Sequence, residues 1–285
     1  MNDTDTLPER VGRHYQIESL LGAGGTSRVL RAIDTRSGLR VALKQASPTS
    51  ASQRARAEAL FRQEFHVLSR IEHPNVVQAY EYGADEGRPF YTMELLSGRS
   101  LGELAPLPWQ RLCGVILDLC SPLSLLHSRR FVHCDVTARN VLVTEEGVTK
   151  LIDFGAIAAL DRPAATISGT PPHMAPELVR RQSIDGRVDM FALGALAYSL
   201  LAGQHAYPAR TIAELPQTWA ISPPTLLELD VAIPPALDEL VMSLLSLEVS
   251  ARPLQLAELV QRLAAILGET YAPGRASLRA QLATP

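Results

Sequence analysis

The densest set of chemically capable side chains runs through Val132-His133-Cys134-Asp135-Val136-Thr137-Ala138-Arg139-Asn140 and then Leu151-Ile152-Asp153-Phe154-Gly155. Asp135 is a carboxylate that could accept a proton from a hydroxyl nucleophile. Asn140 and Asp153 offer an amide oxygen and a carboxylate, hard donors of the kind Mg²⁺ takes. Glycine directly after Asp153-Phe154 allows the sharp turn that such a ligand needs. Together these groups offer a base for a hydroxyl nucleophile and oxygen ligands for a cation.

Two further sets fit that chemistry. Leu21-Gly22-Ala23-Gly24-Gly25-Thr26-Ser27-Arg28-Val29 is a glycine-bearing turn between two strand-like runs, where the lack of Cβ atoms lets backbone N–H groups approach phosphate oxygens. A dinucleotide fold would want a helix after such a turn, yet strand residues follow; a plain hairpin would also use these glycines. Lys44 ends the run Val41-Ala42-Leu43-Lys44 and could be a strand-edge lysine or a point charge for phosphate. Glu64 favours the second reading. It shares a helical face with Phe61 and Leu68, and a carboxylate on a buried face needs a cationic partner.

The elements that must position these groups change character along the chain. Short β-type runs, Tyr15–Leu21, Ser27–Asp34 and Leu39–Gln45, lead through the polar stretch Ala46–Arg56 into a helix. Phe61, Phe65, Leu68 and Ile71 give that helix its apolar face, and His73-Pro74-Asn75 stops it. Strand-like Val76–Tyr82 and Pro89–Leu95 follow, and then the turn Ser97-Gly98. From about Leu107 the pattern is helical and leucine-rich, apart from β-type Val141–Thr144 and Val148–Ile152. Pro122 falls inside the expected helix Pro108–Ser128, where proline should cost about 3 kcal/mol or force a kink. The region from about Gly268 to Pro285 reads as a terminal helix or the start of a linker.

Composition narrows the class. The 285 residues carry 27 Lys plus Arg against 30 Asp plus Glu, a net charge of −3 that argues against a nucleic-acid-coating protein. At 46% hydrophobic the chain can build a large core, and at 5% aromatic it makes a poor stacking platform for bases or sugars. Its three cysteines, Cys113, Cys120 and Cys134, match no zinc spacing and cannot all pair, which fits a reducing compartment. The N-terminus shows no apolar signal segment. The longest apolar run, Met190 to Gly203, is shorter than the roughly 20 residues a membrane span needs. The expectation is a cytoplasmic mixed α/β chain.

Over about residues 15–267 the chain resembles the eukaryotic-like (Hanks-type) protein kinases, in their bacterial Ser/Thr branch. The glycine turn, Val41-Ala42-Leu43-Lys44, Glu64, His133-Cys134-Asp135 with Asn140, Asp153-Phe154-Gly155, Gly169-Thr170-Pro171, Ala175-Pro176-Glu177, Asp189 and Arg252-Pro253 occur in that family's order. The resemblance implies an α+β, two-lobed fold: an antiparallel β N-lobe with one helix at about 15–96, and a helical C-lobe at about 97–267 whose buried central helix is the Met190–Gly203 run. Residues 268–285 remain as a tail or linker start. It also implies a protein Ser/Thr kinase that uses ATP and Mg²⁺ and acts on protein substrates, with a sensor on a partner or on additional domains. Gly22, Gly24 and Ser27 would cover the phosphates, Val29, Ala42 and Leu142 the adenine, and Leu21 would belong to the same nucleotide-binding set. Met93 would be the gatekeeper before the hinge residues Glu94, Leu95 and Leu96. Lys44 would hold phosphate and pair with Glu64, Asp135 would be the base, and Asn140 and Asp153 would bind the metal. Glu177 would pair with Arg252, Asp189 would anchor the catalytic loop, and Leu68, His133 and Phe154 would stack together.

Three departures matter. Cys134 replaces an arginine that in the family pairs with a phosphate on the activation segment, so phosphorylation of that segment is not expected to be the main switch. Thr137 stands where Ser/Thr kinases usually carry lysine, and Arg139 is placed to supply the missing charge. His173 replaces a tyrosine; Glu248-Val249 replaces Asp-Pro. Thr170 is expected to touch both Asp135 and Thr137, as in the Ser/Thr class. The competing readings are a catalytically weak or silent binding module, which the losses at Cys134 and Thr137 favour, and a small-molecule phosphotransferase, against which Ala175-Pro176-Glu177 and Asp153-Phe154-Gly155 both count.

Overall fold

The computed structural model describes residues 7–24, 26–47 and 51–268. Gly25 of the glycine turn, part of the polar stretch before the first long helix, and the tail expected beyond Gly268 lie outside the described residues. The chain divides into two compact units, one up to Ser97 and the other from Gly98. An antiparallel sheet with one helix and a mainly helical unit together give the α+β, two-lobed class expected from the sequence.

In the first unit the elements are β1 (Arg10–Val11), β2 (Tyr15–Ala23), β3 (Ser27–Asp34), β4 (Arg40–Ala46), α1 (Ala51–Leu68), β5 (Ala79–Asp85) and β6 (Arg88–Glu94). The six strands form one sheet in the order β1-β2-β3-β4-β6-β5, with every pair antiparallel. Alternation gives the sheet two faces with different work. One carries the core of Val11, Tyr15, Leu30, Ala32, Val41, Leu43 and Phe90. On the other, the register sets Val29 opposite Lys44 and Lys44 opposite Tyr91, with Ala42 opposite Met93 in the next row. β4 starts at Arg40, one residue later than expected, because Gly38 closes a turn at φ 73° and its N–H donates to the Asp34 carbonyl. β5 starts only at Ala79. The Val76 N–H is still bonded to the His73 carbonyl in the turn made by Pro74, although Val76 and Val77 are buried.

In the second unit β7 (Gly98–Ser100) and α2 (Leu101–Leu104) precede α3 (Trp109–Ser128). β8 (Phe131–Val132), β9 (Val141–Thr144), β10 (Thr149–Leu151) and β11 (Ala158–Ala159) follow, then α4 (Pro176–Val179), α5 (Arg187–Ala202), α6 (Leu215–Thr218), α7 (Pro235–Leu244) and α8 (Leu256–Leu267). Ser97-Gly98 was expected as a turn; instead Gly98 opens β7, which pairs with β9. Pro122 neither ends nor splits α3, and its ring is buried with Leu119 and Leu123. The apolar run near 190–203 is α5, buried along almost its whole length and ended by Gly203 in the left-handed conformation at φ 69°. The short β1, β8 and β11 were not legible as strands, since two residues carry no periodicity.

Candidate active site

In the first unit, Lys44 is built into β4 and Glu64 into α1, and the lysine Nζ donates to Glu64 Oε1 at 2.7 Å. Both side chains are almost fully buried. A pair so placed loses its hydration, so its geometry must be supported by further donors. Tyr91 provides one: its hydroxyl donates to the same Oε1 at 2.9 Å. The Lys44 ammonium also lies 5.8 Å from the Phe61 ring centre and 5.9 Å from that of Tyr91. Sequence reasoning placed Lys44 and Glu64 but missed Tyr91. The aromatic character of β6 was visible; the β4–β6 register that sets Tyr91 opposite Lys44 was not.

The glycine turn is the tip of the β2–β3 hairpin, where the Gly24 N–H donates to the Ser27 carbonyl at 2.8 Å. A β-bulge between Leu20 and Gly22 shifts the register at Leu21, which is exposed. A Cβ built on Gly22 would meet nothing within 4 Å. No protein neighbour requires glycine there, so the open backbone is free for a ligand to approach. Val29, Ala42 and Met93 lie on the Lys44 face of the sheet, and β6 ends at Glu94, ahead of half-buried Leu95 and Leu96.

In the second unit Asp135 is buried at the centre of a hydrogen-bond cluster. Its Oδ1 accepts from both the N–H and the hydroxyl of Thr170, each at 2.8 Å. Its Oδ2 accepts from Asn140 Nδ2 at 2.8 Å, and the same nitrogen donates to the Asp135 backbone carbonyl at 2.9 Å. Asn140 thus directs both amide hydrogens at Asp135, leaving Oδ1 as its acceptor. The Asp153 Oδ1 accepts from the Gly155 N–H at 3.0 Å in the turn made by the glycine. An amide oxygen and a carboxylate form an oxygen-only donor set, and among the described residues no cluster of three or more His, Cys, Asp or Glu competes for a metal. That set fits Mg²⁺, which keeps water and phosphate for its other positions.

Arg139 corrects one expectation. Its guanidinium donates to Thr170 Oγ1 at 2.8 Å and reaches to 3.9 Å of Asp135 Oδ2. Thr170 makes no hydrogen bond to Thr137; among the described residues the buried Thr137 hydroxyl has no hydrogen-bond partner. The Thr170 hydroxyl spends its one hydrogen on Asp135 Oδ1 and accepts from Arg139, so its donor is not available to Thr137.

Asp189, at the start of α5, holds the loop from behind. Its Oδ1 accepts from the Cys134 N–H at 2.8 Å and its Oδ2 from the His133 N–H at 2.9 Å. His127 Nε2, from the last turn of α3, lies 2.8 Å from the same Oδ2. Burial alone would raise the Asp189 pKa, but the His127 bond, the neighbouring histidines and the backbone donors outweigh it and hold the carboxyl below its ordinary value. His127 was missed in the sequence, since a histidine ending an amphipathic helix has many ordinary uses. Cys134 adopts φ 66°, a conformation costly for a non-glycine residue, and its thiol is buried. Burial, then the charges of Asp189 and Asp135, push that thiol well above its usual pKa, which disfavours the thiolate form.

The His133 ring meets Phe154 edge-on at 4.9 Å, while Leu68 is fully buried in the first unit. Arg252 holds Glu177 through two bonds, 2.6 and 3.0 Å, and its guanidinium lies 4.9 Å from the Phe191 ring centre. Leu142 is half-buried on β9.

A family model described as the protein kinase domain matches residues 15–262. The chain is 34% identical over 254 residues to the DNA damage-responsive serine/threonine-protein kinase RqkA of Deinococcus radiodurans, covering 84% of this chain and 37% of that protein. It is 32% identical over 244 residues to the serine/threonine-protein kinase PknL of Mycobacterium tuberculosis, covering 80% and 59%. To the probable serine/threonine-protein kinase PknB of Bifidobacterium longum it is 32% identical over 212 residues, covering 68% and 31%. The chain therefore spans between about a third and three-fifths of the length of these curated relatives. A match over most of the chain, together with the ordered motifs, settles the family: the chain belongs to the protein kinases, in the bacterial Ser/Thr branch of the Hanks type.

Proposed function

We propose that the chain transfers the γ-phosphoryl group of ATP to serine or threonine hydroxyls of protein substrates, with Asp135 as the base. One observation carries this reading. Asp135 Oδ1 is filled by two bonds from Thr170, whereas Oδ2 accepts a single hydrogen bond, from Asn140. A carboxylate oxygen has room for two, so Oδ2 is where a substrate hydroxyl would deliver its proton. Thr170 and Asn140 fix the carboxylate so that the hydroxyl, not the base, must be brought into line. Arg139 stands beside both Asp135 and Thr170 and supplies the positive charge usually carried by the lysine that Thr137 replaces. In the first unit Lys44, held by Glu64 and Tyr91, would meet the α- and β-phosphates, and the backbone at Gly22, Gly24 and Ser27 would cover them. Leu21, Val29, Ala42, Met93, Glu94, Leu96 and Leu142 would receive the base and sugar of the nucleotide. Bound at Asn140 Oδ1 and the Asp153 carboxylate, Mg²⁺ would neutralise phosphate charge.

Phosphorylation of the activation segment is not the main switch in this reading, because the arginine that would answer the phosphate is the buried Cys134. Unpaired thiols support a cytoplasmic setting, and among the described residues no helix is long and apolar enough to cross a membrane. A silent binding module is the second reading, favoured by the missing lysine at Thr137. Incubation with γ-labelled ATP followed by phosphoamino-acid analysis tests the proposal. The expected products are phosphoserine and phosphothreonine, with activity retained in Thr166→Ala and Ser168→Ala. Phosphotyrosine alone, or no label at all, would overturn it.

A further inference from the structure

The start of the activation segment, residues 158–162, is stitched into the second unit on two sides. Ala158 and Ala159 pair with Val132 and Phe131, and the Leu160 N–H extends that ladder to the Arg130 carbonyl at 2.9 Å. On the other side the Asp161 N–H donates to the Ile184 carbonyl at 2.8 Å, and the Ile184 N–H donates to the Arg162 carbonyl at 3.4 Å. At the end of this ladder both strands turn through the left-handed region without glycine, Arg130 at φ 68° and Asp161 at φ 59°. Arg130 takes it as the residue after the α3 C-cap, its N–H donating to the His127 carbonyl at 2.9 Å, and aspartate is among the side chains that adopt it most readily. The two turns bring the side chains together, and the Arg130 guanidinium donates to Asp161 Oδ2. Eight residues after Asp161 the segment is clasped again, by Gly169 at φ 133° beside the Cys134 carbonyl and then by Thr170 on Asp135.

We infer that Arg130 and Asp161 are positioning residues. Their ion pair locks the start of the activation segment onto the catalytic loop, so that a carboxylate encoded in the chain keeps the segment ordered without a phosphate. Arg130 lies three residues before His133 and five before Asp135, so order at this pair passes directly along the chain to the base. This inference rests on the kinase reading above, since it assigns the ordered segment to protein-substrate phosphorylation. The pair is exposed, which limits its leverage to about a two- to fivefold effect. That is enough to shift a local equilibrium between an ordered and a displaced segment.

The test is a charge swap in the full chain. Arg130→Asp, Asp161→Arg and the double variant are compared with wild type by hydrogen exchange at residues 156–163 and by peptide phosphorylation at low and high salt. Each single reversal should speed exchange and lower kcat/KM for the peptide about two- to fivefold, with KM for ATP unchanged. The double swap should return both readouts to within twofold of wild type. High salt should narrow the gap between wild type and Asp161→Asn, a milder variant that keeps the side-chain shape. Unchanged exchange in the single variants, or a double variant no better than the singles, overturns the ion pair. If wild type itself transfers no phosphate, the kinase reading fails, while the exchange pattern still decides the pair.

Discussion

Asp135, Thr170, Asn140 and Arg139 show how much of a site lies in residue types and how much in placement. The carboxylate, the amide and the threonine were legible because their chemistry and order are specific. That Arg139, and not Thr137, is hydrogen-bonded to Thr170 depends on how the folded loop places the side chains, which spacing alone does not express. Tyr91 and His127 stayed hidden for a related reason. Each matters through a partner distant in sequence, Glu64 or Asp189, that only strand register or helix placement brings near. His173 offers a test at this scale. Burial, reinforced by nearby His205 and opposed by Asp135, lowers its pKa from 6.5 to about 4. Below pH 6.5 the unfolded chain therefore takes up a proton that the folded chain refuses. The neutral ring's contribution is complete above pH 6.5 and is lost as pH falls toward 4, by as much as about 3 kcal/mol. Urea unfolding between pH 7 and pH 4 should show this slope in wild type and a shallower one in His173→Tyr. Equal slopes would mean that the buried imidazole does not control acid stability.

At the scale of elements, α5 joins the core of the second unit to the catalytic loop through Asp189. Its apolar run of about four turns was readable as a buried helix, since it is too short for a membrane and too uniform for a surface. Its neighbours were not readable. A Cβ built on Gly194 would stand 2.6 Å from the Leu244 Cβ, so α5 and α7 approach as closely as they do only because that side chain is absent. Gly194→Ala should gain up to about 1 kcal/mol in helix propensity. Overpacking against Leu244, which cannot rotate its Cβ away, should cost about 1–3 kcal/mol and win. Denaturant unfolding should therefore show net destabilisation, and a more stable variant would mean that the helices separate without penalty. The glycine turn contrasts with this, because among the described residues a Cβ on Gly22 would meet no neighbour, so packing does not account for the missing side chain there.

For the whole molecule, the two compact units, one up to Ser97 and the other from Gly98, are parts of one kinase domain, since the family match runs through both. The net charge of −3 carried little information, because the charges that matter are the buried Lys44, Glu64, Glu177, Asp189 and Arg252 and the exposed Arg139. The same principle governs stability: replacing Arg252 by Met would strand the Glu177 carboxylate in the core and should cost about 3–5 kcal/mol, read as a lower urea midpoint. In the proposed reaction this chain, with a cysteine in place of the usual arginine and a threonine in place of the usual lysine, transfers phosphate through Asp135. The most direct measurement is the initial rate of label transfer from γ-labelled ATP with Mg²⁺ to a protein substrate, for wild type and Asp135→Asn at equal folded concentration. Wild type should transfer label, and the variant should do so at least about 100-fold more slowly, the scale of a lost general base. Equal rates in the two proteins, or none in wild type, would contradict it.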